Sequence, residues 1–170
     1  MSFMPQRFHV VHTAPAWMSM PERVLLYGLV AALRPERILK VGTSAGGATM
    51  IMCAALDDLG AGHVTCVAPE PRIADEDWEA IRRRATLVPE PSPDGIARAR
   101  ELAGGPFGLA LIDGDHLNAT LPALADAAHL LVHGASVRDG IGGQLHDAGL
   151  LSGAGDEGGL RLLRYVRSPA

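Results

Sequence analysis

The chain has 170 residues, a formal net charge of −4 and only 4% aromatic residues. That length suits one domain with a real core, filled by Ala, Leu, Val and Ile in place of rings. The acidic balance, with no basic run longer than Arg82-Arg83-Arg84, argues against a nucleic-acid partner, and the triplet reads as a solvated helix face.

In chain order, residues 1–18 are mixed and Pro-punctuated, which predicts an N-terminal arm ahead of a domain over 19–170. "SMPERVLLYGLVAALRP" predicts a helix, with Ser19 as N-cap, Pro21 just inside, Glu22 completing a capping box and Pro35 closing it. Val24, Leu25, Leu29, Ala32 and Leu33 are taken as its apolar stripe. "RILKVG" is a first strand, followed by a helix from about Gly46 to Leu59, and "GHVTCVAP" is a second strand. "ADEDWEAIRRRA" is a helix with acids first and arginines last, as the helix dipole prefers. "TLVPE" is a third strand, and "SPDGIARARELAG" a helix capped by Ser92. "FGLALIDGD" is a continuous apolar run ending in acids, the pattern of a buried parallel strand. "LNATLPALADAAHLLVHG" is read as helical, "ASVRDG" as a fifth strand, a glycine-rich stretch with a short helix as a lid, and "GGLRLLRYVR" as the last strand. The alternation predicts a doubly wound α/β domain, a mostly parallel sheet with helices on both faces.

Such sheets bind ligands beyond the carboxyl ends of their strands. Between the first strand and its helix, "GTSAGG" (Gly42 to Gly47) offers glycines for close backbone approach and a helix start for an anion. It is neither GxGxxG nor the phosphate loop GxxxxGK[ST], so dinucleotide and ATP readings lose ground. "LIDGDH" places Asp113, Asp115 and His116 directly after a buried strand. Asp113 is a candidate ligand for a hard cation and His116 a candidate general base, while Asp115 either joins them or caps the next helix. Asp139, at the end of the expected fifth strand, would face Asp113, and the two could share a divalent ion such as Mg.

"PERILKVGTSAGGATMIMCAAL", "HVTCVAPEP", "FGLALIDGDH" and "ASVRDG", in that order, resemble the class I S-adenosylmethionine-dependent methyltransferases. The closest likeness is to small O-methyltransferase-like members with a G-T-x-x-G-G turn and an I-D-G-D-H strand end, over roughly residues 20 to 140. The resemblance implies a Rossmann-like sheet and S-adenosylmethionine lying across Gly42, Thr43, Ser44, Gly46 and Gly47, with Glu70, Ser92 and Asp113 as further contacts. It implies O-methylation of a small-molecule acceptor, with His116 or Asp113 taking the acceptor's proton, and in its metal-dependent branch a cation at Asp113 and Asp139. Three positions depart from the pattern. Lys40 replaces the first-strand acid, Ala68 replaces the acid that accepts the ribose hydroxyls, and Gly140 follows Asp139 where Asn or Asp is expected. A second reading is therefore a degenerate methyltransferase-fold protein with a binding or assembly role or non-methyl chemistry.

The remaining residues have plainer readings. Cys53 and Cys66 sit in apolar stretches without CxxC spacing, which points to a reduced buried pair and a cytoplasmic protein. No run of ~18 apolar residues predicts a membrane span, and the N-terminal sequence lacks the pattern of a signal peptide. His129 and His133 have i, i+4 spacing on the expected helix, which suits a metal pair, although the sequence supplies no third ligand nearby. Leu26 and Tyr27, taken as exposed on the first helix, would mark a homodimer face. Trp17 is a packing anchor or part of an acceptor pocket.

Overall fold

The helix opened by Ser19 forms as the sequence predicts. Its Glu22 carboxylate turns back to accept hydrogen bonds from Ser19 N at 2.7 Å and Ser19 Oγ at 2.8 Å. The computed structural model describes residues 7–113, 116–133, 145–152 and 159–166. A short α1 (Val10–Thr13) precedes this helix, α2 (Met20–Leu33). Then follow β1 (Arg37–Val41), α3 (Gly47–Leu59), β2 (His63–Val67), α4 (Asp75–Ile81), β3 (Ala85–Val88), α5 (Asp94–Leu102) and β4 (Phe107–Asp113). A short α6 (Leu117–Thr120), a 3-10 turn (Leu121–Ala123), β5 (Leu124–His133), β6 (Leu145–Ser152) and β7 (Leu160–Tyr165) complete the described chain.

The strands form one seven-stranded sheet in the order β3-β2-β1-β4-β5-β7-β6. The β1–β5 pairs are parallel, and β7 runs antiparallel to both its neighbours. Strand order reverses beside β1, between the outward run to β3 and the return through β4. That is where an open parallel sheet leaves a crevice. Alternation along each strand divides the core in two. Ile38, Val64, Cys66, Leu109 and Leu111 pack under α1, α2, α3 and α4, while Leu39, Val41, Val67, Ala110 and Ile112 face α5 and the turn before β5.

Three expectations need correction. The fully buried apolar positions of α2 are Leu26, Tyr27 and Val30; Leu25, Leu29 and Leu33 of the expected stripe pack against the same core at partial burial, while Val24 is 41% exposed. The helix carries aliphatic residues nearly all round, so periodicity alone could not choose the stripe. Tyr27 points inward, with its hydroxyl bonded to Asp58; burial first, then that bond and the Asp58 charge, push its pKa well up. Leu26 and Tyr27 therefore cannot form a dimer face. Residues 124–133 make a strand where a helix was expected, and 145–152 form another in the segment assigned to a lid and a short helix. Helical propensity of the Ala- and Leu-rich run yields here to pairing with β4 and β7. Finally, Ser92 does not cap α5; Pro93 holds the N-cap position, with no side-chain cap. The expected strand "ASVRDG" lies outside the described residues, as do Gly114, Asp115, Asp139 and Gly140.

The arginine triplet does more than face solvent. Arg83 Nη2 and Arg84 Nε reach Asp57 at 2.6 and 3.0 Å, and Arg7 approaches the same carboxylate at 3.5 Å. This ties the segment after α4 and the N-terminal region to the last turn of α3. Burial raises the Asp57 pKa, but the guanidinium bonds and charges outweigh it and hold the carboxyl below its ordinary value of 3.8. A depressed folded-state pKa stabilises the fold above the ordinary carboxylate range and loses that effect as pH falls through the folded value. Asp57→Asn is therefore expected to cost about 1–3 kcal/mol at pH 7. Urea unfolding of both proteins should show the difference shrinking as pH falls below the usual carboxylate range.

Candidate functional site

The turn after β1 is shaped by backbone that most side chains would resist. Gly42, Ser44 and Gly46 all have positive φ, at 80°, 47° and 84°. Gly42 N bonds Val67 O at 3.0 Å and Gly46 N bonds Thr43 O at 2.9 Å, which folds the turn back over the sheet. Arg72 N donates to Ser44 O at 3.0 Å, so the loop after β2 is tied to the turn as well. Gly47 then starts α3, and here the glycine is required by crowding. A Cβ at Gly47 would lie 2.3 Å from Ala16 N and 2.4 Å from the Pro15 carbonyl carbon. The N-terminal arm thus packs backbone to backbone on the helix start.

Arg23, on the second turn of α2, holds that arm in place. Its guanidinium donates to the carbonyls of Met18 (2.9 Å), Ala14 (2.8 Å) and Ala16 (2.6 Å), with a longer bond to Val11 (3.4 Å). One side chain therefore satisfies most of the carbonyls of an irregular segment, using the fork that only arginine offers. The arm and the turn together wall a cavity of about 60 Å³. Pro15, Ala16, Trp17 and Met18 form one side. Gly42, Thr43, Ser44 and Gly47 form the other, and Lys40, Leu111 and His133 line the remaining wall.

The cavity wall includes a buried cation. Lys40 is only 3% exposed, and its Nζ donates to Val41 O at 3.1 Å. Its charge reaches Cys66, whose thiol burial pushes up while the Thr49 hydroxyl, the Lys40 charge and the Thr43 hydroxyl pull it back. Thr43 Oγ1 is buried and makes no hydrogen bond of normal geometry; the weakly accepting Cys66 sulfur is what it leans toward. The Cys53 thiol is likewise raised, by burial foremost, and both cysteines are free and buried as expected.

His133 is the site residue that sequence reasoning placed wrongly. It ends β5, in register with Asp113 at the end of β4. Its Nε2 lies 3.6 Å from Glu22 Oε1, and Glu22 is buried at 5% exposure with its other oxygen on Ser19. On a strand, His129 and His133 stand ~13 Å apart, too far to share a metal ion. A clue was available: "HLLVHG" is a short apolar run stopped by glycine, built like "LALIDG" in β4.

The other expected residues scatter. Gly42, Thr43, Ser44 and Gly47 meet in the cavity wall, with Gly46 buried beneath Ile73. Ala68 ends the β2 ladder, buried and without a carboxylate, and Glu70 is exposed two residues on. Ser92 is half-buried beyond β3. His116 sits at the N-cap of α6, half-buried, and is not among the residues lining the cavity. Asp113 closes β4, in backbone register with His133 at the end of β5. Among the described residues no group of three His, Cys, Asp or Glu is placed to hold a metal ion.

A glycine-rich turn at a sheet's reversal point, next to a strand ending in acid, is common to several enzyme classes. The family model described as a methyltransferase domain matches residues 39–137, which span β1 to the end of β5 and beyond. The chain belongs to the methyltransferase-domain family. Solved structures agree on the fold. The cofactor-bound Rv0187 from MTB superposes with a TM-score of 0.71 at 20% identity, covering 96% of this chain and 88% of that one. The O-methyltransferase TomG from Streptomyces achromogenes, in complex with SAM, gives 0.70 at 15% identity over 96% and 87%. An O-methyltransferase from Bacillus cereus, in complex with SAH, gives 0.71 at 15% identity over 95% and 89%. No curated protein matches the sequence.

In this methyltransferase domain the arm walls the cavity, so loosening it should show in stability and in exposure of the arm. Arg23→Lys keeps the charge but loses the fork, with an expected cost of about 1.5–3 kcal/mol. Thermal unfolding should register the loss, and limited proteolysis should cut within residues 11–18 faster than in the wild type.

Proposed function

We propose that the protein transfers a methyl group from S-adenosylmethionine to an oxygen of a small acceptor. The observation that carries this reading is the cavity where the Gly42–Gly47 turn, the start of α3 and the arm converge beside the ends of β4 and β5. The family membership and the SAM- and SAH-bound structural neighbours support it. When bound, S-adenosylmethionine supplies an activated methyl on a good leaving group, so the protein's task is mainly positioning. The turn brings backbone close to the ligand, and the buried Thr43 hydroxyl has hydrogen-bonding capacity to spare. His133, braced by Glu22, joins His116 and Asp113 as a candidate to take the acceptor's proton. A cation held by Asp113 and Asp139 belongs to the metal-dependent form of this reading, and no step is assigned to it.

The free buried thiols suit a cytoplasmic protein, and no helix among the described residues is long and apolar enough to cross a membrane. A homodimer would use a face other than Leu26 and Tyr27; Trp17, Met20 and Val24 are the exposed apolar side chains around the start of α2. The degenerate reading is kept by one observation: Lys40 and Ala68 stand where acids are expected to face the cofactor's amino group and ribose.

Calorimetry with S-adenosylmethionine and S-adenosylhomocysteine separates the two readings. Saturable binding at micromolar to submillimolar concentration is expected; no heat and no thermal shift at millimolar ligand would leave only the degenerate scaffold. For an acceptor that is turned over, His133→Asn should lower the rate by about 10²-fold or more, the usual contribution of a general base. Production of S-adenosylhomocysteine is the measurement, and a His133→Asn protein as fast as the wild type would return the role to His116 or Asp113.

A further inference from the structure

The cavity is too small for the cofactor that the proposed activity requires. It encloses about 60 Å³, whereas pockets that bury a drug-sized ligand run from about 300 to 1,000 Å³. The segment between α1 and α2 is what confines it. Pro15, Ala16, Trp17 and Met18 stand opposite Gly42, Thr43, Ser44 and Gly47, and the Pro15–Ala16 backbone rests on the first residue of α3. The segment therefore sits on the ligand's side of the turn.

The elements on either side of it are fastened independently. α1 is held by Val11 at 0% and Ala14 at 3% exposure. Before α1, Arg7 N donates to Asp58 at 3.3 Å and the Arg7 guanidinium pairs with Asp57. α2 is held by its capping box and by buried Leu26, Tyr27 and Val30. The segment between them has weaker anchors. Ala16 and Met18 are half-buried against the core, Pro15 is exposed and Trp17 is 85% exposed. What fixes its path is Arg23, itself half-buried, through the carbonyls of Ala14, Ala16 and Met18. Few apolar contacts, and hydrogen bonds from one partly solvated side chain, are the marks of a segment that opens locally while its neighbours stay folded.

We propose that residues 15–18 are a gate over the cofactor site, latched shut by Arg23, and that the segment lifts off the start of α3 before S-adenosylmethionine enters. The proposal rests on the S-adenosylmethionine reading. The latched form is the resting state, so only the open fraction of the protein binds. Association then runs no faster than the gate opens. Trp17 rides on the moving segment and reports its position.

Stopped-flow mixing with S-adenosylhomocysteine tests it, in a Trp78→Phe background that leaves Trp17 as the only indole. The fluorescence of Trp17 should change on binding, at a rate that levels off at high ligand concentration. Arg23→Gln, which removes the charge and the fork, should raise that plateau about tenfold or more, the scale of one charge-assisted hydrogen bond. A rate that climbs linearly with ligand throughout overturns the gate, as does a plateau that Arg23→Gln leaves unchanged. Where Arg23→Gln fails to fold, the concentration dependence of the protein with Arg23 intact decides alone. Calorimetry on the wild type separates this proposal from the reading beneath it. Heat of binding without a change at Trp17 overturns the gate and keeps the cofactor; no binding at millimolar ligand overturns both.

Discussion

The contact between the Pro15–Ala16 backbone and Gly47 is the constraint on which the site depends. It leaves no room for a Cβ at the start of α3, and it converts an irregular segment into a wall of the cavity. Backbone packed this closely needs its polar groups satisfied from elsewhere. Arg23 does this for the carbonyls, and the Ser19–Glu22 capping box fixes the point where the arm turns into α2. Glu22 in turn approaches His133 at the end of β5. A single buried acid thus links the entry of the arm, the first long helix and the end of β5.

The sequence was most informative where local pattern and tertiary role agree. Around Ser19 the cap, the proline and the acid each satisfy a separate requirement of a helix start, and the structure keeps all three. β1, the glycine turn and α3 follow the same logic, since positive φ at Gly42 and Gly46 is what those glycines permit. β4 was legible because an apolar run between a Pro and an acid can only be buried on both faces. The failures fall where composition is ambiguous. "LADAAHLLVH" has good helix formers throughout, and only its neighbours β4 and β7 decide that it is a strand. The stripe of α2 was caught only in part, at Leu25, Leu29 and Leu33, for the related reason that aliphatic residues surround the helix.

Misreading β5 had a chemical consequence, because a strand's last residue decides what stands beside its neighbour's last residue. Asp139 lies outside the described residues, so its pairing with Asp113 stays an expectation; what the strand adds is His133 in register with Asp113. The same ten residues explain why His129 and His133 looked like a metal pair: four positions are one helical turn but ~13 Å of strand. Glu22 was legible only as a cap. Nothing local in the sequence says that its second oxygen looks across to β5, since that proximity comes from α2 crossing the sheet.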